Sequence, residues 1–265
     1  MSDSAARPGG CALLHLAEVD STNAEAMRRL LAGESGPLWV LADRQLAGRG
    51  RSGRAWASAP GNLFASLLVK TDCPSAKAGQ LSLVAGVAAV EAIAKMGPVS
   101  GVRLKWPNDI LIGPAKAGGI LVESSSRAQH PGVVAVVGVG LNLASAPEDL
   151  GPAATYLAAH GLSLSPRDAL CFLAQAMTDW LDMWNGGEGF ARVREAWLAR
   201  AGAVGEPLTV HAAGGLVHGR FAGLDEDGAL IVTGADGRQR SFTFGDVSLA
   251  DRSAEAAAQG KDERR

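Results

Sequence analysis

Cysteine and histidine are scarce in this 265-residue chain, and neither has the spacing of a metal site. The three cysteines, Cys11, Cys73 and Cys171, lie far apart and form no C-x-x-C pair, and the five histidines show no ligand spacing. An odd number of separated cysteines argues against a disulfide framework and a structural zinc site. The cysteine usage, with no visible signal peptide, predicts a reducing, cytoplasmic location.

A long hydrophobic run near the N-terminus and an excess of one charge are also missing. The apolar run at residues 11–16 is short and has no basic leader, so we predict no signal peptide and no membrane span. The formal net charge is −2 and aromatic residues make up 5% of the chain, which argues against a nonspecific DNA-binding protein. Hydrophobic residues account for 47%, as expected for a globular protein with one large domain and a small one.

Acidic residues are absent between Arg44 and Thr71, where positive charge is concentrated. Residues 48–56, Gly-Arg-Gly-Arg-Ser-Gly-Arg-Ala-Trp, are called the arginine loop below. Glycines allow close approach of the backbone to a ligand, and arginines supply forked, permanently charged donors. The pattern indicates a receptacle for phosphate or carboxylate oxygens. A dinucleotide-binding G-x-G-x-x-G is disfavoured because Pro60 and Gly61 would break the helix it needs. A solvated basic loop is the other alternative.

Hydrophobic periodicity predicts a mixed first domain. Helices are predicted at residues 24–32, 75–96, 167–184 and 190–201, and strands at 38–42, 63–69, 102–104, 110–112, 119–124 and 133–139. The first two strands are expected to pair as a hairpin around the arginine loop. Strands and helices are segregated and do not strictly alternate, which is typical of the α+β class.

The pattern of predicted elements changes after residue 203, from long helices and strands to short strands alone. Short strands are predicted at residues 208–211, 216–224, 229–233, 238–244 and 247–249, with turn chemistry at Asp-Glu-Asp-Gly and Ala-Asp-Gly. These features predict a small antiparallel barrel. The expected division of the chain is a disordered leader (1–10), a first domain (11–203), the barrel (204–250) and a flexible tail (251–265).

Four further segments combine polar or glycine residues with a predicted element. They are Ser-Thr-Asn at 21–23, Lys-Trp-Pro-Asn-Asp at 105–109, Lys-Ala-Gly-Gly-Ile-Leu-Val-Glu at 116–123 and Gly-Val-Gly-Leu-Asn at 138–142. Each has a structural interpretation: a helix cap, an exposed lysine beside a core tryptophan, a hairpin turn and a β-bulge. Each also has a functional one, in which a polar group or a bare glycine backbone faces a ligand.

Taken together, the motifs resemble the catalytic domain of the biotin–protein ligases. The family pattern G-R-G-R-x-G-R-x-W matches the arginine loop, and K-W-P-N-D matches residues 105–109 without a change. The patterns K-x-G-G/A-I-L-x-E, G-x-G-x-N and S-T-N match residues 116–123, 138–142 and 21–23, and Gln45 falls where the family has a glutamine. The resemblance runs in the family's order from about Val19 to Leu249.

The resemblance implies an α+β fold, a mixed β-sheet with helices on one side, followed by an SH3-like barrel. It implies an enzyme that makes biotinyl-5′-AMP from biotin and ATP and transfers biotin to a lysine of a biotin carboxyl carrier domain. Mg²⁺ is expected with ATP, and no metal ligand is assigned. Only 20 residues precede Ser21, so a ligase without the repressor's winged helix is expected. DNA and membrane are not expected partners, and the expected state is a monomer or weak homodimer.

The resemblance also assigns the site residues. The catalytic cations are Lys105, Arg49 and Arg51. The biotin-binding set is Ser21, Thr22, Asn23, Gln45, Arg49, Gly50, Arg51, Lys105, Gly118 and Gly119. The nucleotide-binding set is Arg51, Arg54, Trp56, Asn108, Lys116 and Asn142.

Three alternatives stay open at this point. A lipoate–protein ligase shares the chemistry, but lipoate has no ureido ring for the polar set at Ser21–Asn23 and Gln45. A nonenzymatic nucleic-acid-binding module could use the arginine loop and the barrel. A regulator could bind biotinyl-AMP without transferring it.

Overall fold

The computed structural model describes residues 8–34, 36–126, 132–147, 153–212 and 214–249. The chain divides into two compact units, with the boundary between Ala201 and Gly202. The sequence predicts this boundary after residue 203. Most of the predicted leader and the whole predicted tail at 251–265 lie outside the described residues.

A seven-stranded mixed sheet forms the centre of the first unit. Its strands are β1 (Ala12–Val19), β2 (Leu38–Gln45), β3 (Leu63–Thr71), β4 (Val102–Lys105), β5 (Asp109–Ile112), β6 (Ala115–Ser126) and β7 (Val133–Leu141). The order is β1-β2-β3-β7-β6-β5-β4. The β1–β2 pair is parallel, and the other neighbours are antiparallel. The predicted pairing of the strands around the arginine loop is confirmed, because β2 and β3 are antiparallel neighbours.

Strand β1 is absent from the sequence prediction. The short apolar run at residues 11–16 covers the start of this strand. The strand lies at the edge of the sheet, and half of its eight residues are exposed. An edge strand with one neighbour buries little side-chain surface, so its alternation of polar and apolar residues is weak.

Four α-helices cover the sheet in the described part of this unit: α1 (Thr22–Leu31), α2 (Gln80–Met96), α3 (Pro166–Trp184) and α4 (Phe190–Leu198). Helix α1 buries Ala26 and Leu30 against β2, β3 and β7. Helices α2, α3 and α4 pack on one another, and α2 and α3 contact the sheet. Side chains alternate along strands, so the residues next to those under α1 face the opposite side. Helices α2, α3 and α4 form one packed group, and α1 packs separately on β2, β3 and β7, which agrees with the predicted mixed sheet covered by helices.

Helix α2 is apolar along nearly its whole length. With the turn before it, Ser75–Met96 is long and apolar enough to cross a membrane by length and composition alone, but 67% of that window is buried inside the structure. Its buried positions run from Gln80 to Ile93. This burial is what a core helix of a globular domain requires.

The second unit is a five-stranded antiparallel sheet. Its strands are β8 (Pro207–Ala212), β9 (Gly215–Leu224), β10 (Leu230–Thr233), β11 (Gln239–Phe242) and β12 (Asp246–Leu249), in the order β11-β10-β9-β8-β12. Val210, Leu230 and Val232 form part of its core. The Asp225 carboxylate accepts hydrogen bonds from the backbone N–H groups of Asp227 and Ala229, which closes the predicted β9–β10 turn. The arrangement agrees with the SH3-like barrel expected from the sequence.

Candidate active site

The arginine loop is a small hairpin that projects from the end of β2. Arg49 and Ala55 form a β-bridge, and the N–H of Trp56 donates to the carbonyl of Gly48 over 2.9 Å. The tip is a single 3-10 turn at Arg51–Gly53, where Ser52 has a φ of 55°. No α-helix begins here, so the dinucleotide-binding alternative lacks the helix N-terminus it requires. The hairpin instead presents its arginines on a loop held by backbone hydrogen bonds.

Trp56 lies on a floor made of two paired glycines. Gly119 of β6 and Gly140 of β7 are register partners. A Cβ on Gly140 would lie 2.7 Å from the indole, and one on Gly119 would lie 3.0 Å from it. Lys116 covers the ring, with Nζ 5.4 Å from its centroid. A side chain at either position would collide with the indole, which explains why both residues are glycine.

Gly118 points to the other side of the sheet. A Cβ there would lie 2.7 Å from the side chain of Leu141, which is part of the core. Of the two β6 glycines predicted to contact biotin, only Gly119 faces the side of the sheet that carries Trp56. The backbone of Gly118 remains next to that surface because it is bonded to Gly119.

The start of α1 carries a cluster of buried polar side chains. Ser21, Thr22 and Asn23 are each 4% exposed. The side-chain oxygen of Gln45 accepts hydrogen bonds from Thr22 N–H and Thr22 Oγ1, over 2.9 and 3.1 Å. Ser21 occupies the N-cap position without a side-chain cap hydrogen bond. The Ser21 hydroxyl therefore does not cap the helix, although the structural interpretation of this motif was a helix cap.

Ser66 of β3 belongs to this cluster, and the sequence prediction omits it. Its Oγ lies 2.7 Å from Thr22 Oγ1 and 2.6 Å from Asn23 Oδ1, and the residue is fully buried. A buried hydroxyl with two polar neighbours holds both side chains in fixed rotamers. The available signal was a single polar residue in an otherwise apolar strand, Leu-Phe-Ala-Ser-Leu-Leu-Val.

The side-chain amide of Asn23 is satisfied at both ends. Its Nδ2 donates to Glu123 Oε2 over 2.8 Å and to the carbonyl of Leu121 over 3.3 Å, while Oδ1 lies against Ser66. The amide reaches β6 by crossing Gly138, where a Cβ would lie 2.2 Å from Asn23 Oδ1. Asn23 therefore supports the cluster and has no amide donor left for a ligand.

Gly138→Ala is expected to displace Asn23 and disturb the whole cluster. The new methyl group cannot share space with an amide locked on three sides, so at least two buried hydrogen bonds are lost. We expect unfolding free energy to fall by about 2 kcal/mol, at about 1 kcal/mol for each bond. Because the biotin pocket that the resemblance implies would lose the support of Asn23, the KM for biotin should rise by about tenfold or more.

The matched control for this variant is Gly79→Ala. Gly79 has helical dihedral angles and open space around its Cβ position, so alanine fits there without strain. Thermal unfolding and biotin kinetics of both variants check the prediction. A Gly138→Ala protein with the melting temperature and biotin KM of the Gly79→Ala protein would contradict it.

Lys105 and Lys116 converge on one carboxylate, that of Asp109. Lys105 Nζ lies 2.7 Å from Oδ2 and Lys116 Nζ lies 2.5 Å from Oδ1. The side chains of Lys105 and Asp109 are 17% and 12% exposed. Burial disfavours ionisation of Asp109, but attraction by Lys116 and Lys105 outweighs it and lowers the pKa of the carboxyl below its ordinary value. The carboxylate thus keeps two ammonium groups close together, which their mutual repulsion would otherwise oppose.

Asp109 is a site residue that the sequence prediction missed. It is the last residue of the Lys-Trp-Pro-Asn-Asp motif and begins β5 directly opposite Lys105 in the register. The motif predicts a role for Lys105 and Asn108 because their side chains can face a ligand, whereas nothing local marks Asp109. The ion pair with Lys116 depends on the β5–β6 pairing, which periodicity does not reveal.

The remaining predicted residues fall into two groups. Arg51 Nη1 donates to Asn108 Oδ1 over 3.5 Å, and Arg54 Nε donates to the carbonyl of Arg51 over 3.2 Å. The first contact connects the arginine loop to the β4–β5 turn, and the second lies within the loop. Asn142 is buried, and its amide donates to the carbonyls of Thr155 and Lys116 over 3.0 and 3.4 Å. In this arrangement its amide donors serve the backbone around Lys116.

The acidic side chains of this region do not form a metal site. Asp109 is held by two lysines, and Glu123 lies 3.5 Å from Arg49. Among the described residues, no group of three or more His, Cys, Asp or Glu side chains could hold a metal ion. The donor set therefore does not fit a Mg²⁺ site built from protein ligands alone, and we assign no metal ligand.

The fold and the site together define a class of protein in which a mixed sheet carries an arginine loop and two lysines held on one carboxylate. Residues 16–142 match the Biotin/lipoate A/B protein ligase family, and residues 204–250 match the biotin protein ligase C terminal domain. The chain is 44% identical to a biotin--[acetyl-CoA-carboxylase] ligase of Paracoccus denitrificans, over 84% of this chain and 95% of that protein. The chain belongs to the biotin protein ligase family.

Solved structures agree with this assignment. The biotin protein ligase from Aquifex aeolicus in complex with biotin and ATP has a TM-score of 0.75 and 28% identity, covering 90% of this chain and 98% of that one. A ligase from Leishmania major in complex with biotinyl-5-AMP has a TM-score of 0.61 and 26% identity, covering 88% and 99%. The mixed sheet and the small C-terminal sheet are thus shared with ligases of known architecture.

Proposed function

We propose that the protein is an ATP-dependent biotin–protein ligase that forms biotinyl-5′-AMP and transfers biotin to a lysine of a biotin carboxyl carrier domain. The observation that carries the proposal is the pair of lysines on Asp109 beside the arginine loop. Membership of the biotin protein ligase family supports the choice of substrate. The assignment of individual residues below is part of the proposal.

The first step joins two anions. A carboxylate oxygen of biotin attacks the α-phosphorus of ATP, a new C–O–P linkage forms, and the bond to pyrophosphate breaks. Cations aimed at the reacting oxygens lower this barrier because negative charge accumulates on them. Lys105 is assigned to the space between carboxylate and α-phosphate. Arg49 and Arg51 are assigned to the arginine loop that closes over the product, with the backbone of Gly50 between them.

The polar cluster at the start of α1 is assigned to the ureido ring of biotin. Ser21, Thr22 and Gln45 carry hydroxyl and amide groups at a buried surface, and a buried ureido ring needs such partners. Asn23 is assigned the supporting role its contacts describe. The glycine backbone at Gly118 and Gly119 is assigned to the wall beside the ligand.

The nucleotide is assigned to the region of Trp56 and Lys116. Their ring and ammonium group lie together on the glycine floor. Arg51 and Asn108 connect the arginine loop to the β4–β5 turn, Arg54 braces the loop by donating to the Arg51 carbonyl, and Asn142 holds the backbone near Lys116. Stacking and cation contacts of this kind suit an adenine base and its phosphates.

The second step transfers biotin. A neutral lysine amine of the carrier attacks the carbonyl carbon of the mixed anhydride, the amide bond forms, and AMP leaves with the electrons of the broken C–O bond. The anhydride must be kept from water until the carrier arrives, which is the role assigned to the closed arginine loop. The group that accepts the amine proton is not assigned.

Arg51→Gly is expected to release biotinyl-AMP into solution. The variant loses the loop cation that contacts Asn108 and gains backbone freedom at the tip. We expect about tenfold more labelling of lysines on an unrelated protein such as serum albumin, measured by avidin blotting after incubation with biotin and ATP. Complete loss of biotin and ATP binding would mean that the loop is chiefly a binding element and would contradict its assignment as a closure.

The direct test is to incubate the protein with biotin, ATP and Mg²⁺ and an apo carrier domain, and to weigh the carrier by mass spectrometry. A mass gain of one biotinyl group on one lysine is expected. Competition between biotin and lipoate in ATP–pyrophosphate exchange separates the lipoate alternative. Salt-dependent nucleic-acid binding without an ATP requirement would favour the binding-module alternative. Tight binding of biotinyl-AMP without carrier labelling would favour the regulator.

Several parts of this proposal stay predictions. They are the use of Mg²⁺ with ATP, the carrier domain as partner, the lack of DNA and membrane partners, the monomer or weak homodimer, and the cytoplasmic location. The three free cysteines, of which Cys11 and Cys73 are buried, are compatible with a reducing compartment.

A further inference from the structure

Glu123 of β6 is the point at which the polar cluster and the arginine loop meet. One of its oxygens, Oε2, accepts the hydrogen bond of Asn23 Nδ2 over 2.8 Å and lies 3.5 Å from Arg49 Nη2. Asn23 belongs to the cluster at the start of α1, and Arg49 belongs to the arginine loop. A single carboxylate oxygen therefore joins two parts of the site that are far apart in the chain.

Glu123 has a buried neighbour, Asn23, on one side and a half-exposed neighbour, Arg49, on the other. It pairs with Val136 in the β6–β7 ladder, at the middle of the sheet. Its partner Asn23 is 4% exposed and also held by Ser66 and the Leu121 carbonyl. Arg49, in contrast, is 47% exposed and sits on a hairpin with a tight tip. The carboxylate is consequently a fixed anchor, and the arginine is the part that it restrains.

We infer that Glu123 is a positioning residue that tethers Arg49 and keeps the arginine loop close to its binding-competent position before ligand arrives. The inference rests on the proposed function for its effect on biotin, but the tether itself is a property of the protein without ligand. The pair is partly exposed, with Glu123 34% exposed, so it has the strength of a surface ion pair. Its loss should change the ratio of closed to open arginine loops by about two- to fivefold. An ion pair of this strength changes the fraction of molecules whose arginine loop is ready to bind biotin. It leaves the chemistry of the bound state unchanged.

Loss of the tether should therefore affect KM and leave kcat nearly unchanged. Apparent affinity falls in proportion to the competent fraction, because biotin must first find the loop in place. Once both substrates are bound, Arg49 is held by them and the tether is no longer needed. Loss of Glu123 charge should therefore raise the KM for biotin in ATP–pyrophosphate exchange about two- to fivefold, with kcat within about twofold of wild type.

The test uses Glu123→Gln, which keeps an oxygen acceptor for Asn23 and removes the negative charge that faces Arg49. Trypsin is added to the ligand-free full-length protein, and cleavage after Arg51 and Arg54 is timed by mass spectrometry, since proteolysis follows the population of opened loops. Cleavage is expected to be about two- to fivefold faster than in wild type. Glu123→Asp, whose shorter side chain cannot reach both partners, serves as a second variant, and melting temperatures establish that each variant is folded.

Two controls make the result specific. Glu18→Gln removes another interstrand glutamate that lies 3.4 Å from an arginine, Arg44, outside the site, and it should leave loop cleavage and the biotin KM at wild-type values. In an Arg49→Gln background, Glu123→Gln should add nothing to the cleavage rate, because the restrained partner is gone. Cleavage at the wild-type rate in Glu123→Gln, or an equal acceleration with and without Arg49, would overturn the tether. Failure of the wild-type protein to label a carrier would instead count against the proposed function and would leave the proteolysis result standing.

Discussion

Lys105→Ala is expected to abolish adenylate formation while leaving the first unit folded. Lys105 is 17% exposed and lies 2.7 Å from Asp109, so its ammonium is held at one place in a partly dry site. A fixed charge in such surroundings stabilises developing negative charge much more than a mobile charge in water does. Biotin-dependent ATP–pyrophosphate exchange should fall by about 100- to 1,000-fold, the usual effect of removing one preorganised electrostatic group.

The folded state should survive this change because Asp109 keeps Lys116 as a partner. The matched control is Lys95→Ala on helix α2, which removes a lysine from an ion pair of the same i,i+4 spacing and the same 2.7 Å length, with Glu91. That variant should retain exchange activity within about twofold, as expected for a surface pair. Near-normal exchange by Lys105→Ala, with its melting temperature unchanged, would remove the lysine from the proposed chemistry.

Asp109→Asn is expected to lower both stability and activity, because it leaves two neighbouring ammonium groups without the charge that holds them. Asparagine has the shape of aspartate, so packing is retained and only the charge is lost. Breaking a buried ion pair costs about 3–5 kcal/mol, and the 29% exposure of Lys116 places this variant towards the lower end. Exchange activity should fall by about 10- to 100-fold as the lysines move apart.

The stability difference between wild type and Asp109→Asn should depend on pH in one direction. The pKa of Asp109 is lower in the folded protein than its ordinary value, so the stabilisation is fully present above that ordinary value. It is lost as the pH falls through the folded pKa, where the wild-type carboxyl becomes protonated and resembles the variant. Urea unfolding from neutral to acidic pH should therefore show the two curves converging only at the acidic end.

Asp43→Asn provides the comparison for both measurements. Asp43 is 59% exposed and lies 2.7 Å from His15 at the sheet edge, and its replacement should change unfolding free energy by about 0.5 kcal/mol or less. Equal effects of the two substitutions, or a constant gap between wild type and Asp109→Asn at all pH values, would show that the lysine pair does not depend on this carboxylate.

Much of the fold was predictable from local patterns. The helix at residues 167–184 and the strand at 63–69 were located closely, because both have clear apolar periodicity and turn residues at their ends. Strand β1 was missed because an edge strand shows little alternation. The start of α2 was predicted at residue 75 instead of 80, because the 3-10 turn at Ser75–Lys77 leads towards the helix without a proline to mark its start.

The candidate site was predictable in its motifs and not in its pairings. The arginine loop, Lys105 and Lys116 stand out because cations and glycines cluster there. Asp109 and Glu123 were passed over, although both lie inside quoted motifs. Both residues matter through contacts with other segments of the chain. A single sequence motif does not predict which segments will be its neighbours in the fold.

The sequence by itself determined the chemistry available to this protein: an arginine loop, two lysines with glycines nearby, and a polar start to the first helix. These features follow from residue types and short-range spacing, because local backbone preferences determine turns, strands and helix starts. The tertiary structure alone decided that Glu123 joins Asn23 to Arg49, that Asp109 holds both lysines, and that Trp56 rests on Gly119 and Gly140. These contacts depend on the register of β5, β6 and β7, and register is set by packing between residues far apart in the chain.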